Sequence, residues 1–175
     1  MFKTILVATD NSANSRKAVE TAGDIACKYG AKLILLNVIH PQRVNTEFKR
    51  MLEVENLMDP GPKLMKVTSK FPETVAESLT RLNESVDASY RYLQLIAEQI
   101  LEQANKIVLK QGIKDAKIQI EDGDPAEQIL QCADREKVDL ILMGSRGLSE
   151  LKGLLMGSVS NKVSQHAKCS CLIVR

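Results

Sequence analysis

The chain has 175 residues, 44% hydrophobic and 26% charged, with nine glycines and five prolines, which excludes collagen-like, low-complexity and wholly disordered chains. The length is that of one ordinary domain burying about 70% of its unfolded surface. With a net charge of +2, no basic block, 3% aromatics and no Trp, neither charge nor stacking supports nucleic-acid binding.

The first segment, Thr4-Ile5-Leu6-Val7-Ala8, is a continuous apolar run, as in a central parallel strand covered on both faces. It follows Met1 almost at once, and no apolar run in the chain reaches the roughly 18 residues of a membrane span, so neither a secretory signal nor a span is expected. After the polar stretch Asp10 to Ser15, apolar residues from Ala18 to Ala26 recur at helical spacing until Gly30, a C-cap. Lys32 to Ile39 is a second buried strand, and this order implies a right-handed parallel crossover.

Between 40 and about 72, Phe48, Met51, Leu52 and Met58 predict one short amphipathic helix, ended by Pro60-Gly61-Pro62, as a surface excursion. From Glu73 to Gln111 the apolar positions keep a period near 3.6 and close at Gly112. This is one long helix, or two broken near Ser85 to Ser89, whose first half projects to meet a partner subunit. Ala116 to Glu121 is a strand, and Asp124-Pro125-Ala126-Glu127 opens a helix with Asp124 as N-cap and Glu127 closing a capping box. Val138 to Met143 is another buried strand, Val159 to Ala167 a helix, and Cys171 to Val174 the closing strand. The pattern predicts a single doubly wound α/β domain over 1–175, a five-stranded, mostly parallel sheet with helices on both faces, extended by a helical insertion at about 40–90.

Cys27, Cys132, Cys169 and Cys171 form no CxxC pair and have only His40 and His166 beside them, so they read as reduced, semi-buried thiols, not as a metal site or a disulfide. Cys169 follows Lys168 but lies past the end of a helix, where the dipole disfavours a thiolate, which argues against redox sensing. His166 reads as a surface residue of a last helical turn.

In a doubly wound sheet, ligands bind outside the carboxyl ends of the strands where the strand order reverses. Three places qualify: Thr9-Asp10, Val38, and the stretch from Gly144 to Ser160. That stretch reads Gly144-Ser145-Arg146-Gly147, nine residues, then Gly157-Ser158-Val159-Ser160. Glycines straight after a strand let the backbone turn and approach an anion, and a helix opening at Gly157-Ser158 aims N–H groups, dipole and hydroxyls at one point, as a phosphate cradle does. Equally, these are turn glycines with Ser158 as a plain N-cap, and generic physics leaves both readings standing. There is no G-x-x-x-x-G-K-[ST], and the turn Ala8 to Ser12 has no glycine, which argues against P-loop and dinucleotide-binding Rossmann enzymes.

The spacing G-x2-G-x9-G-[ST] at Gly144, Gly147, Gly157 and Ser158, with Val7-Ala8-Thr9-Asp10, Leu35-Leu36-Asn37-Val38, the Gly123-Asp124-Pro125 turn and the exit Asp139 to Gly144, resembles the nucleotide-binding branch of the universal stress protein family over nearly the whole chain. The resemblance implies a cytoplasmic regulatory stress protein that binds ATP, or ADP or AMP, at the carboxyl edge of the sheet. It places Asp10 and the backbone near Thr9 at the ribose, the main chain of Val38 at the adenine edge and Met143 in the pocket wall. Gly144, Arg146, Gly147, Gly157, Ser158, Val159 and Ser160 would surround the phosphates, which would carry Mg²⁺ with few protein ligands. It further implies a homodimer through the last strand, 171–175, a pairing that would cover an apolar edge. Residues 40 to 90 are longer than the family's usual connection. No residue is assigned a catalytic role, since phosphoryl transfer needs a placed nucleophile and firm metal ligands and only Asp10, Ser158 and Ser160 offer themselves. The competing readings are slow ATP hydrolysis or autophosphorylation, a nucleotide-free dimeric interaction protein working through the long helix, and an adenylating ligase, whose serine-rich loop Asn11 to Ser15 resembles only faintly.

Overall fold

The computed structural model describes residues 2–40, 75–148 and 156–175, with backbone alone for 75–89 and 92. The short helix expected around Phe48 to Met58, and its stop at Pro60-Gly61-Pro62, lie outside the described residues. The chain divides into two compact units, Met1–Pro41 with Leu95–Arg175, and Gln42–Gln94. Of the second, the described part is helix from Val75 to Gln94.

The elements are β1 (Thr4–Ala8), α1 (Ala13–Tyr29), β2 (Lys32–Ile39), α2 (Val75–Lys110), β3 (Lys117–Asp122), α3 (Pro125–Arg135), β4 (Leu140–Gly144), α4 (Ser158–His166) and β5 (Ser170–Val174). The strands form one sheet in the order β3-β2-β1-β4-β5, and every neighbouring pair is parallel. The expected doubly wound α/β fold is therefore present, with a sheet parallel throughout. Its three central strands, β1, β2 and β4, read as largely apolar runs because both faces are covered, whereas the edge strand β3 mixes polar and apolar residues and is exposed or half-buried throughout. On one face Ile5, Val7, Leu33 and Leu35 pack with Ala18 and Ala22 of α1 and Leu101, Ala104 and Val108 of α2. On the other, Leu6, Leu36, Ile141 and Met143 pack with Ile129 and Cys132 of α3 and Val163 of α4.

Local chemistry sets the element ends. Ser12 caps α1 by accepting from Ser15 N–H at 3.3 Å, and Gly30 closes it at φ 62°. The long helix is continuous, with no break at 85–89, and Gly112 at φ 95° turns the chain away from it. Asp124 caps α3 by accepting from Glu127 N–H at 3.0 Å, which holds its carboxyl below the usual carboxylate range. The Glu127 side chain departs from the expected capping box: Lys162 of α4 holds its carboxylate at 3.0 Å and also reaches Asp124 at 3.2 Å. β4 begins at Leu140 and not Val138, because Val138 N–H donates back to Ala133 O at 2.9 Å and closes the turn after α3.

Cys132 is buried, Cys169 and Cys171 are half-buried and Cys27 is exposed. Burial pushes the thiols of Cys132, Cys169 and Cys171 up, away from the thiolate a redox sensor needs. His166 lies in the last turn of α4, with Nδ1 at 2.8 Å from Lys162 O.

Asp139 pins the start of β1 to the start of β4 by accepting from Lys3 N–H at 2.7 Å and Thr4 N–H at 2.9 Å. Those two bonds hold its carboxyl below the usual range. A carboxyl lowered by folding stabilises the folded state above its ordinary value and loses that contribution as pH falls through the lowered one. In thermal melts below pH of about 4, wild type should therefore lose more stability than Asp139→Asn, and parallel curves would contradict this. Leu101, 1% exposed, anchors α2 in the core, so Leu101→Ala should cost about 3 kcal/mol in denaturant unfolding, whereas Leu95→Ala at an exposed position should cost about 0.5 kcal/mol or less.

Candidate functional site

The strand order reverses between β1 and β4: the chain builds β2 and β3 on one side of β1, then crosses to β4 and β5 on the other. The helices that follow these two strands lie on opposite faces, α1 on one and α4 on the other, the arrangement in which doubly wound sheets have their crevice between the strand exits. Thr9 and Asp10 enter it from β1, and Gly144 to Leu148 from β4.

Thr9 is tied to β2 by both main-chain groups. Its N–H donates to Leu36 O at 2.9 Å and its carbonyl accepts from the buried Asn37 Nδ2 at 2.7 Å. Its hydroxyl donates to Ser15 Oγ at 3.1 Å inside the first turn of α1. Asp10 is not the cap of that helix. Its Oδ1 accepts from Ser12 N–H at 3.1 Å and its Oδ2 from Leu148 N–H at 3.0 Å, so the carboxylate spans from β1 to the loop beyond β4.

Ser145 centres that loop. Its N–H donates to Val174 O at 2.6 Å, and its carbonyl accepts from Gly157 N–H at 2.7 Å and Ser160 Oγ at 2.9 Å. Asn14 Nδ2 donates to Ser145 Oγ at 3.2 Å, and Ser12 Oγ donates to Arg146 O at 3.3 Å. The loop is thus stitched to α1, β5 and α4 at once.

The three glycines of the motif are glycine for different reasons. A Cβ on Gly144 would come within 2.9 Å of Ser15 N and 3.0 Å of Asn14 C, backbone atoms that cannot retreat without moving α1. A Cβ on Gly147 would fall onto Asp10 Oδ2. At Gly157, with φ −76°, the nearest atom to a Cβ is Ser145 O at 3.4 Å, an ordinary contact. Folding therefore excludes a side chain at 144, admits one at 147 only if the Asp10 carboxylate moves, and accepts one at 157.

Gly157 is the N-cap of α4, and no side chain caps that end. This corrects the alternative in which Ser158 is the cap: Ser158 is the first helical residue and is exposed. Ser160 is buried, and its hydroxyl donates to Ser145 O and to Gly157 O at 3.0 Å, bracing the loop instead of pointing outward. Val159 packs half-buried against the second core cluster.

Met143 lies buried at the exit of β4, opposite Ala8 of β1. Arg146 is half-buried. Val38 sits on β2, two residues beyond Leu36, which pairs with Ala8, so it lies along the same sheet edge as Asp10. The residues singled out from sequence thus gather around the two strand exits. Ser12, Asn14, Ser15, Asn37 and Ser145 hold them there and were not singled out. A signal existed for Asn37, an amide in the otherwise apolar run Leu33 to Ile39, and for the serine and asparagine run ahead of α1. Among the described residues, no group of three His, Cys, Asp or Glu side chains is placed to hold a metal ion, and no helix is long and apolar enough to cross a membrane.

The universal stress protein family matches residues 1–175. The chain belongs to the universal stress protein family. Universal stress protein YxiE of Bacillus subtilis (strain 168) is 32% identical over 175 residues, covering 100% of both chains. Among solved structures, hypothetical protein MJ0577 is similar with a TM-score of 0.72 and 25% identity, over 99% of this chain and 96% of that one. A universal stress protein in complex with cAMP is similar with a TM-score of 0.58 and 26% identity, over 99% of this chain and 97% of that one. In this family member the first motif glycine serves packing directly. Gly144→Ala should destabilise by about 2 kcal/mol in denaturant unfolding as the Cβ drives α1 from β4, while Gly157→Ser should change stability by about 0.5 kcal/mol or less.

Proposed function

We propose that this universal stress protein is a regulatory module that binds an adenine nucleotide, ATP with ADP and AMP as related ligands, between the exits of β1 and β4. The observation that carries this reading is the uncapped start of α4, where glycine stands although the fold has room for a capping side chain. A helix start without a side-chain acceptor presents its first-turn N–H groups and the positive end of its dipole to an anion. A phosphate group fits that donor set.

In this reading the phosphates lie on the N–H groups of Ser158, Val159 and Ser160 and on the Ser158 hydroxyl, with Gly144, Arg146 and Gly147 forming the facing loop. Asp10 accepts from ribose hydroxyls on the lone pairs that its two backbone bonds leave over. The main chain of Val38 meets the adenine edge, and Met143 closes the pocket wall. Mg²⁺ rides on the phosphates and keeps most of its waters. The cAMP complex of a related universal stress protein supports an adenine nucleotide as the ligand class. No side chain is assigned a catalytic role. The module works in the cytoplasm as part of a stress response, the Gln42–Gln94 unit is an insertion in it, and a second copy pairs along the edge strand β5, where Leu172 is 38% exposed.

Protein purified without added nucleotide, then denatured, should release an adenine nucleotide in near-equal amount on anion-exchange chromatography. Gly157→Asp puts a carboxylate at the N-cap, where it can satisfy the first-turn N–H groups itself and repel phosphate. It should fold with an unchanged or slightly higher melting temperature, release no nucleotide, and bind ATP with Mg²⁺ at least about tenfold more weakly in calorimetry. A wild-type protein that releases nothing and fails to bind ATP with Mg²⁺ would overturn the reading.

A further inference from the structure

The second motif glycine has a partner in this chain. The space a Cβ would take at Gly147 is filled by Oδ2 of Asp10, from the far side of the primary sequence. That same oxygen accepts from Leu148 N–H at 3.0 Å, while Oδ1 accepts from Ser12 N–H at 3.1 Å. The carboxylate is thus fixed at both oxygens by backbone, and the loop residue next to it has no side chain to displace it.

Two further contacts set the same geometry from the β1 side. Ser12, which donates through its N–H to Asp10, also donates through Oγ to Arg146 O at 3.3 Å, one residue before Gly147. Asn11, between Asp10 and Ser12, takes φ 64°, the left-handed conformation that short polar residues tolerate, and its N–H donates to Thr9 Oγ1 at 3.3 Å. The turn after β1 is therefore bent so that Asp10 faces the loop and not the solvent side of α1.

We propose that Asp10 is a positioning residue that sets the conformation of the loop Gly144 to Leu148, and that Gly147 is glycine in order to admit the Asp10 carboxylate. Gly147 then serves the binding site through Asp10, whatever its backbone contributes to the facing loop. The inference deepens the nucleotide-binding reading of the same site and rests on it for its consequence. Its geometric content belongs to the protein without ligand.

The test is a double-mutant cycle in full-length protein: wild type, Gly147→Ala, Asp10→Ala and the double variant, with Asp10→Asn as a fifth. Hydrogen exchange at the Leu148 amide is read first, without nucleotide. Gly147→Ala and Asp10→Ala should each lower Leu148 protection by about tenfold or more, the effect of losing a hydrogen bond to a charged acceptor. The double variant should be no worse than Asp10→Ala alone, because without the carboxylate the Cβ has room. Asp10→Asn, which keeps one acceptor oxygen for two N–H groups, should fall between. ATP affinity should follow the same non-additive pattern. Unchanged Leu148 protection in Gly147→Ala, or effects that add in full in the double variant, would overturn the proposal, the second outcome showing that the added Cβ acts independently of Asp10. Should all five proteins fail to bind ATP while the exchange pattern holds, the nucleotide reading falls and the Asp10–Gly147 pairing stands.

Discussion

The peptide groups of Ser145 hold the carboxyl edge of this sheet together. One residue past β4, it donates to β5 through Val174 O, accepts from the first turn of α4 through Gly157 and Ser160, and receives Asn14 of α1 on its hydroxyl. It is 3% exposed, so none of these bonds can be exchanged for water without opening the loop. A satisfied buried hydrogen bond adds only about 1 kcal/mol, but stranding one of its partners costs about 1–3 kcal/mol, so the loop is held by the penalty for partial release. The start of α4 and the approach of α1 to Gly144 take their positions from that knot, and Asp10 holds the far end of the loop at Leu148.

The centre of the sheet was legible in the sequence because parallel strands buried on both faces leave largely apolar runs. β1 and β2 fall where Thr4 to Ala8 and Lys32 to Ile39 predict, and Gly30 and Asp124 mark helix ends by chemistry that acts within one turn. The edges of the site were less legible because they depend on pairings across the chain. Ser12 and Arg146 are 134 residues apart and Asp10 and Leu148 are 138 apart, and nothing local announces either bond. The same holds for Glu127, whose spacing from Asp124 fits a capping box but whose carboxylate meets Lys162 from another helix. The glycine motif was visible as a pattern, yet the pattern could not say which glycine answers to packing and which to a ligand. That distinction needs the distance from each absent Cβ to its neighbours.

Those distances divide the motif. Gly144 faces backbone, so the fold demands glycine there whether or not anything binds, whereas Gly147 faces only the end of the Asp10 side chain. Gly157 faces nothing closer than an ordinary contact, and a serine, threonine or aspartate there would cap α4 at least as well as glycine does. An N-cap without a capping side chain is a small, standing loss of stability. It is explained when the N–H groups it leaves open have a ligand. Lys162 adds to this arrangement from the next turn by binding Asp124 and Glu127. It bridges α4 to the start of α3 at the surface, where such pairs add little, and the open helix end itself is held by the bonds of Gly157 and Ser160 to Ser145 O.

The two edges of the sheet differ in a way that bears on association. β3 carries Lys117 and Glu121, paired with Glu136 and Arg135 from the end of α3, and its exposed Ile118 sits beside that charge. Such ion pairs add little stability at the surface, but charge along an edge strand opposes the pairing of another strand against it. β5 carries Ser170, Cys171, Leu172, Ile173 and Val174, with no charged side chain among them. Its far side is an open edge with partly exposed apolar residues, the kind of strand that is stable in water when it is covered. Of the two edges among the described residues, β5 is the one without charged side chains. It is also the strand that Ser145 N–H joins through Val174 O, so the loop beyond β4 and this edge share one hydrogen bond.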